Sequence, residues 1–229
     1  MILKLEDIAN MFDLSCVRMF NTKSDIIDLI NTAKKYHCGH VSVLQCFVDF
    51  SRDLLGNNSN IKLIGNVSFP SGSDSTELKV MQARQLADKC DEIDMVMNVN
   101  WHLSGMYEEV ENDIRAVKKA IGKIPLKVII ESSLLNKNQM EKACEICVKA
   151  GVSFIKTGTG WSGPTTIEQV SLIKSIVGNS ISIKASGGIK NIKTLIKMYK
   201  SGATRFGINL KNGLSILKEC ESLGGIVEI

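Results

Sequence analysis

Lys156 and Lys184 each lie in an apolar, β-branched run, the first in Ser153-Phe154-Ile155-Lys156-Thr157-Gly158-Thr159-Gly160 and the second in Ser182-Ile183-Lys184-Ala185-Ser186-Gly187-Gly188. A lysine is a costly choice inside such a run, because a buried ammonium loses its hydration. Set beside another cation, an amine gives up its proton more readily and becomes a nucleophile near neutral pH. Two lysines on neighbouring strands would therefore form a Schiff-base site. Asp94, between apolar neighbours in Glu92-Ile93-Asp94-Met95-Val96-Met97-Asn98, adds a carboxylate that an inward orientation would bury. With it, one lysine could condense with a carbonyl, the other could depress its pKa, and the acid could move the α-proton of the enamine.

Those side chains need elements that bring them together. Strand-like runs are predicted at residues 11–17, 40–45, 61–68, 92–98, 126–131, 153–159, 180–185 and 204–208. Amphipathic helical patterns at 25–36, 75–89, 107–121, 137–150, 166–176, 191–200 and 214–223 fill most of the gaps. Several have start signals, such as Ser75 and Thr166, and several end at a glycine, such as Gly151 and Gly202. The strand runs are nearly continuously apolar, as in sheets covered on both faces. Eight strand–helix units in 229 residues predict a (β/α)8 TIM barrel forming a single domain over residues 1–229. An open doubly wound sheet is the alternative, weakened by the lack of a GxGxxG opening an early helix. In a barrel the sixth and seventh strands are adjacent, so Lys156 and Lys184 can meet, with Asp94 across the mouth. Lys127 and Glu131 lie on the fifth strand and Asp13 on the first.

From spacing alone a second reading stands open, in which both lysines only form buried ion pairs with Asp94, Glu131 or another carboxylate. The turns Ser186-Gly187-Gly188 and Gly207-Ile208-Asn209 fall where barrels bind phosphate, and equally where glycine only makes a tight turn. His37, His40 and His102 are scattered, without the clustering a metal site needs, and His102 is expected in a solvated loop. Trp161 either walls the site or packs. Seven cysteines, including Cys144 and Cys147 in a helical pattern, read as core residues in a reducing cytoplasm. With 28 basic and 24 acidic residues spread along the chain, a net charge of +4 suits a soluble enzyme for anionic metabolites and argues against nucleic acid. No apolar run reaches the roughly 18 residues that span a bilayer, and no signal peptide is expected at the start.

At these residues the chain resembles the deoxyribose-phosphate aldolase (DeoC) family of class I aldolases. The resemblance runs from about Asp13 to about Leu217 and rests on five segments in family order. They are Phe154-Ile155-Lys156-Thr157-Gly158-Thr159-Gly160, Ile183-Lys184-Ala185-Ser186-Gly187-Gly188-Ile189, Glu92 to Asn98, Leu126 to Ser132 and Gly202 to Gly207. It implies a TIM barrel that reversibly cleaves 2-deoxyribose 5-phosphate to glyceraldehyde 3-phosphate and acetaldehyde. It implies Lys156 as the Schiff-base lysine, Lys184 as the lysine that tunes it, Asp94 as the aspartate of the proton relay and Asp13 as the acid at the end of the first strand. Thr159, Gly160, Gly187, Gly188 and Gly207 match the substrate and phosphate pocket. No metal or organic cofactor is implied, and dimers are common among these barrels, so a homodimer is one expected assembly.

Three departures alter the substrate rim. Where the family usually has small hydroxyl residues after Gly207, this chain has Ile208-Asn209-Leu210-Lys211, leaving Asn209 as a substitute donor and Lys211 as a source of charge. The family's Thr-Ser-Thr-Gly is Thr157-Gly158-Thr159-Gly160, and its Cys-Val-Asn-Pro-like run is replaced around Val43-Leu44-Gln45-Cys46. A relative with a changed acceptor, a non-catalytic sugar-phosphate binder and a transaldolase-like enzyme are the competing expectations.

Overall fold

A computed structural model describes residues 2–56 and 59–229. In chain order the elements are β1 (Ile2–Lys4), α1 (Leu5–Asn10), β2 (Phe12–Cys16), α2 (Lys23–Tyr36), β3 (His40–Val43), α3 (Val48–Leu55), β4 (Lys62–Val67), α4 (Thr76–Ala87) and β5 (Glu92–Val96). There follow α5 (Val99–Leu103), α6 (Tyr107–Ile121), β6 (Leu126–Ile129), α7 (Lys137–Lys149), β7 (Phe154–Lys156), α8 (Ile167–Val177), β8 (Ser182–Ser186), α9 (Ile192–Lys200), β9 (Arg205–Asn209), α10 (Leu210–Ser222) and β10 (Ile226–Glu228).

Strands β2 to β9 close into an eight-stranded barrel, β9 pairing back onto β2, with every neighbour parallel. The predicted (β/α)8 architecture is the one observed. Side chains alternate along each strand. Phe12, Leu14, Ile93, Met95, Ile155 and Phe206 belong to the apolar core beneath the helices. Their neighbours Asp13, Asp94, Lys156 and Arg205 meet one another across the interior. Most TIM barrels fill that interior with branched apolar residues; here one level of it is ionic.

The helix signals have direct counterparts. Thr22, Ser75, Asn136, Thr166, Asn191 and Asn209 each cap a helix by accepting a hydrogen bond from the backbone N–H three residues on. Gly151 (φ 69°) and Gly202 (φ 110°) follow the ends of α7 and α9 with the positive φ predicted there.

The differences are local. Helix α10 starts at Leu210 and not at 214, because Asn209 caps it. The strand expected at 153–159 ends at Lys156, which releases the next residues into a loop. A first strand, a last strand and α1 escaped the reading; β1 and β10 form a separate antiparallel pair. Helix α3, after a 3-10 turn at Gln45–Phe47, was also missed. Among the described residues no helix is long and apolar enough to cross a membrane.

Candidate active site

The register of the barrel places Lys156 directly opposite Lys184 on adjacent strands β7 and β8. Both amines donate to the same oxygen. Asp94 Oδ2 lies 2.8 Å from Lys156 Nζ and 2.7 Å from Lys184 Nζ. The other oxygen of Asp94 accepts from Lys127 Nζ at 3.0 Å. The sequence reading located Lys127 but gave it no role; its in-register pairing with Asp94 across β5 and β6 supplies one.

A second set of charges underlies this one. Asp13 pairs with Lys184 at 2.5 Å and with Arg205 at 2.7 Å. Glu92 holds Lys127 at 2.6 Å and Arg205 at 2.9 Å, and His40 lies 3.5 Å from both acids. Asp13 is the second residue of β2 and not its last, so it sits under Lys184 and not at the rim expected from the resemblance. Glu92, His40 and Arg205 were missed, yet Glu92 lies two residues before Asp94 and Arg205 two before Gly207, which the alternation of a strand would have exposed. The interior carboxylates Asp13, Glu92 and Asp94 come from β2 and β5. The cations Lys127, Lys156, Lys184 and Arg205 come from β6, β7, β8 and β9. Apart from His40, three negative groups therefore face four basic ones, and charge balances when one lysine is neutral.

The electrostatics identify that lysine. Burial strips water from Lys156 and Lys184 repels its charge, which together outweigh the pull of Asp94 and bring its pKa down to about 8. Burial alone would lower Lys184 as well, but it bonds both Asp13 and Asp94, and its pKa rises. Desolvation, more than the neighbouring cation, is the larger cause at Lys156. Burial favours protonation of Asp94, yet Lys127, Lys156 and Lys184 hold its pKa well below the ordinary carboxylate range. Asp13 is also lowered, its burial outweighed by Lys184 and Arg205.

The open alternative was that the lysines are only structural, and they are indeed ion-paired. Lys79 is a purely structural case in the same molecule: wholly buried between α4 and α6, it pairs with Asp113 at 2.6 Å. It lines no part of the mouth cavity, whereas Lys156 and Lys184 border a cavity of about 890 Å³.

The other predicted site residues border that cavity too. Asp13, Thr159, Gly160, Gly187, Gly188, Gly207 and Asn209 all line it. Thr159 has its hydroxyl committed, donating to Glu131 Oε2 at 2.5 Å and accepting from Trp161 N–H at 3.0 Å, so it shapes the loop. Glu131 pairs with neither lysine; its carboxylate also accepts the Thr159 N–H. A Cβ at position 158 would lie 2.9 Å from Glu131 Oε1, which explains glycine there. Gly207 is required by the lysine beside it: a Cβ would meet Ser186 Cβ at 2.7 Å and Lys184 Cε at 3.2 Å. Asn209 spends its side-chain oxygen capping Asn212 N–H at 2.9 Å, leaving its amide N–H₂ as the available donor.

Trp161 packs and does not border the cavity: it meets Phe69 edge-on with centroids 6.3 Å apart, and Phe69 in turn lies 5.9 Å from Lys156 Nζ. His102 is not in a solvated loop. It is wholly buried on α5, with Nε2 2.8 Å from the Gln139 carbonyl, and burial lowers its pKa. Five residues of helix were too few to leave a periodic signal. Among the described residues, no group of three metal-ligating side chains could hold a metal ion.

The model of the DeoC/LacD aldolase family matches residues 8–220. A deoxyribose-phosphate aldolase from Histophilus somni (strain 2336) is 39% identical over 215 residues, covering 91% of this chain and 96% of that protein. One from Rhizobium meliloti (strain 1021) is 38% identical over 223 residues, covering 96% and 89%. The solved structure of the aldolase QR15 superposes with a TM-score of 0.89 at 30% identity, covering 95% of this chain and 97% of that one. With its barrel, its opposed lysines and these relatives, the chain belongs to the DeoC/LacD family of aldolases.

Proposed function

We propose that this protein is a class I aldolase that reversibly cleaves 2-deoxy-D-ribose 5-phosphate, or a close analogue, to glyceraldehyde 3-phosphate and acetaldehyde. The observation that carries the chemistry is Lys156: a buried amine with its pKa near 8, bordering a large cavity and pinned beside a charged lysine. The substrate follows the named relatives, which align over nine-tenths of the chain.

Neutral Lys156 Nζ adds to the aldehyde carbon C1, and loss of water gives the imine. A base removes the proton of the C3 hydroxyl, the C2–C3 bond breaks, and its electron pair moves into the C1–C2 bond as the imine nitrogen becomes an enamine. Glyceraldehyde 3-phosphate departs. Protonation at C2 and hydrolysis then release acetaldehyde and restore the amine. Asp94 enters the cycle ionised and acts as the acceptor that aligns both amines. The protons travel through cavity water beside the Lys184–Asp94 pair. Lys184, held charged by Asp13 and Asp94, adds to burial in helping Lys156 lose its proton nearer neutral pH.

Asp13, Thr159, Gly160, Gly187, Gly188, Gly207 and Asn209 form the substrate pocket in this reading. The apolar Ile208 and Leu210 beside Asn209 favour an analogue as the alternative substrate, because they remove hydroxyl donors from the first turn of α10. The chain works as one catalytic domain, and a homodimer is the assembly to look for by mass in solution. Seven free cysteines, six of them buried, support a reducing cytoplasm as its compartment.

The test is borohydride reduction in the presence of acetaldehyde, followed by peptide mapping, with acetaldehyde release measured on phosphorylated and unphosphorylated 2-deoxyribose. A covalent adduct on Lys156 is expected. Its absence in folded protein that binds the ligand would sink the Schiff-base mechanism.

A further inference from the structure

We propose that Arg18 grips the terminal phosphate of the substrate, a role that this chain's first turn of α10 is poorly equipped to fill; the assignment rests on the aldolase reading above. Arg18 follows β2 in the loop that leads to α2. Its Nη2 donates to the carbonyl of Gly160 at 2.7 Å, and its guanidinium lies 4.8 Å over the ring of Trp161. Gly160 is only four residues beyond Lys156 in the same loop, so the guanidinium is fixed at the mouth of the cavity that the reacting amine borders.

Arg18 also lacks the carboxylate partner that three of the other four arginines hold. Arg205 holds Asp13 and Glu92, Arg52 holds Asp91, and Arg115 holds Glu111. Among the described residues Arg18 has no carboxylate partner. A half-buried guanidinium, positioned by a carbonyl and an aromatic face, still carries its full charge and several N–H donors arranged as a planar fork. That geometry matches the oxygens of a phosphate monoester.

The competing anion holders are weaker. Ile208 is buried and apolar, and Asn209 uses its oxygen on the helix cap. Lys211 and Lys218 border the cavity from exposed positions on α10, with no hydrogen bond or ion pair fixing them among the described residues, and Lys35 directs its amine to Tyr36. Gly187 and Gly188 can present backbone N–H groups to an anion, but these carry no full charge. Lys35 also keeps its charge unpaired, but both of its contacts are to Tyr36, its own neighbour on α2; among the described cavity-lining cations outside the reaction centre, Arg18 is the one bonded to the loop that carries Lys156.

Kinetics of Arg18→Met and Arg18→Lys on 2-deoxyribose 5-phosphate and on 2-deoxyribose test this, with borohydride trapping of acetaldehyde on Lys156 as the control for an intact reaction centre. A charge-assisted contact to phosphate predicts that Arg18→Met loses about tenfold or more of the kcat/KM preference for the phosphorylated sugar. Most of that loss is expected in KM, with Arg18→Lys recovering part of it and inorganic phosphate becoming a weaker competitive inhibitor. A purely structural clamp between the two loops would instead depress both sugars alike. Equal losses on both, or an unchanged KM for the phosphorylated sugar in a variant that still traps acetaldehyde, would overturn the assignment. Failure of the wild-type protein to trap acetaldehyde would overturn the Schiff-base reading itself, and the two failures are thereby distinguishable.

Discussion

Lys156 and Lys184 share a single acceptor oxygen, Asp94 Oδ2, at 2.8 and 2.7 Å. The arrangement forces an unequal division of protons, because Lys184 has a second carboxylate in Asp13 and Lys156 has none so close. The first consequence is a pH profile. Only the neutral amine attacks a carbonyl, so kcat/KM for imine formation should rise with pH through a midpoint near 8 and level off above it. Stopped-flow measurement of the condensation step between pH 6 and 10 checks this. A midpoint near the ordinary lysine value would contradict it.

The same amine should weaken the fold. Its folded pKa lies below the unfolded value of 10.5, so between about 8 and 10.5 the unfolded chain binds more protons and stability rises with pH. Below that window the whole penalty is present. Lys156→Met should therefore be more stable than wild type by about 1 kcal/mol at pH 7, with the gain fading as pH rises from about 8 to 10.5, while trapping is lost. Chemical denaturation at pH 7 and pH 10 provides the comparison.

Asp94→Asn leaves Lys127, Lys156 and Lys184 with only the carboxylates beneath them. Loss of one partner from a buried ionic cluster costs about 3–5 kcal/mol. The variant should unfold at markedly lower denaturant concentration, and its turnover should fall by orders of magnitude because neither amine is aligned. A variant with native stability would show that Asp94 is not the hub of the network.

Lys127→Met examines the residue that never approaches the cavity yet touches Asp94. Without it, the Asp94 charge is directed more fully at Lys156, and a nearby cation is gone. Both effects favour the ammonium, so the condensation midpoint should move above 8, with the substrate KM little altered. An unshifted midpoint would reduce Lys127 to packing.

Gly207→Ala tests space rather than charge. The added methyl meets the Ser186 Cβ at 2.7 Å, and something must move, either the strand or Lys184. A loss of 1–3 kcal/mol is the usual scale for overpacking, and kcat should fall by about tenfold or more. Full activity would mean that Lys184 tolerates displacement.

Much of this was legible in the chain. Parallel strands buried on both faces leave long apolar runs, so a lysine or aspartate within them stands out, and Lys156, Lys184 and Asp94 did so. The pocket glycines were legible because tight turns end the strands. What escaped had no such contrast. Glu92 and Arg205 begin their strands and look like boundary residues, although a period of two assigns them to the interior. His102 and Arg18 lie in segments too short or irregular for a pattern, and their partners are remote in sequence: Arg18 meets Gly160 across 142 positions. Lys127 was visible, but its function lies in Asp94 and not in any ligand.

The ancestry and engineering of this barrel are constrained by where its interior charges lie. The strands up to β5 contribute the acids, and the strands from β6 onward contribute the bases. Cut between α6 and β6, the molecule yields two half-barrels that are electrostatically complementary and not equivalent. Two copies of the first half would set carboxylates against carboxylates, and two copies of the second would crowd ammonium groups together without counterions. A symmetric barrel duplicated from either half could not inherit this interior, whereas the two unlike fragments carry a built-in preference for each other.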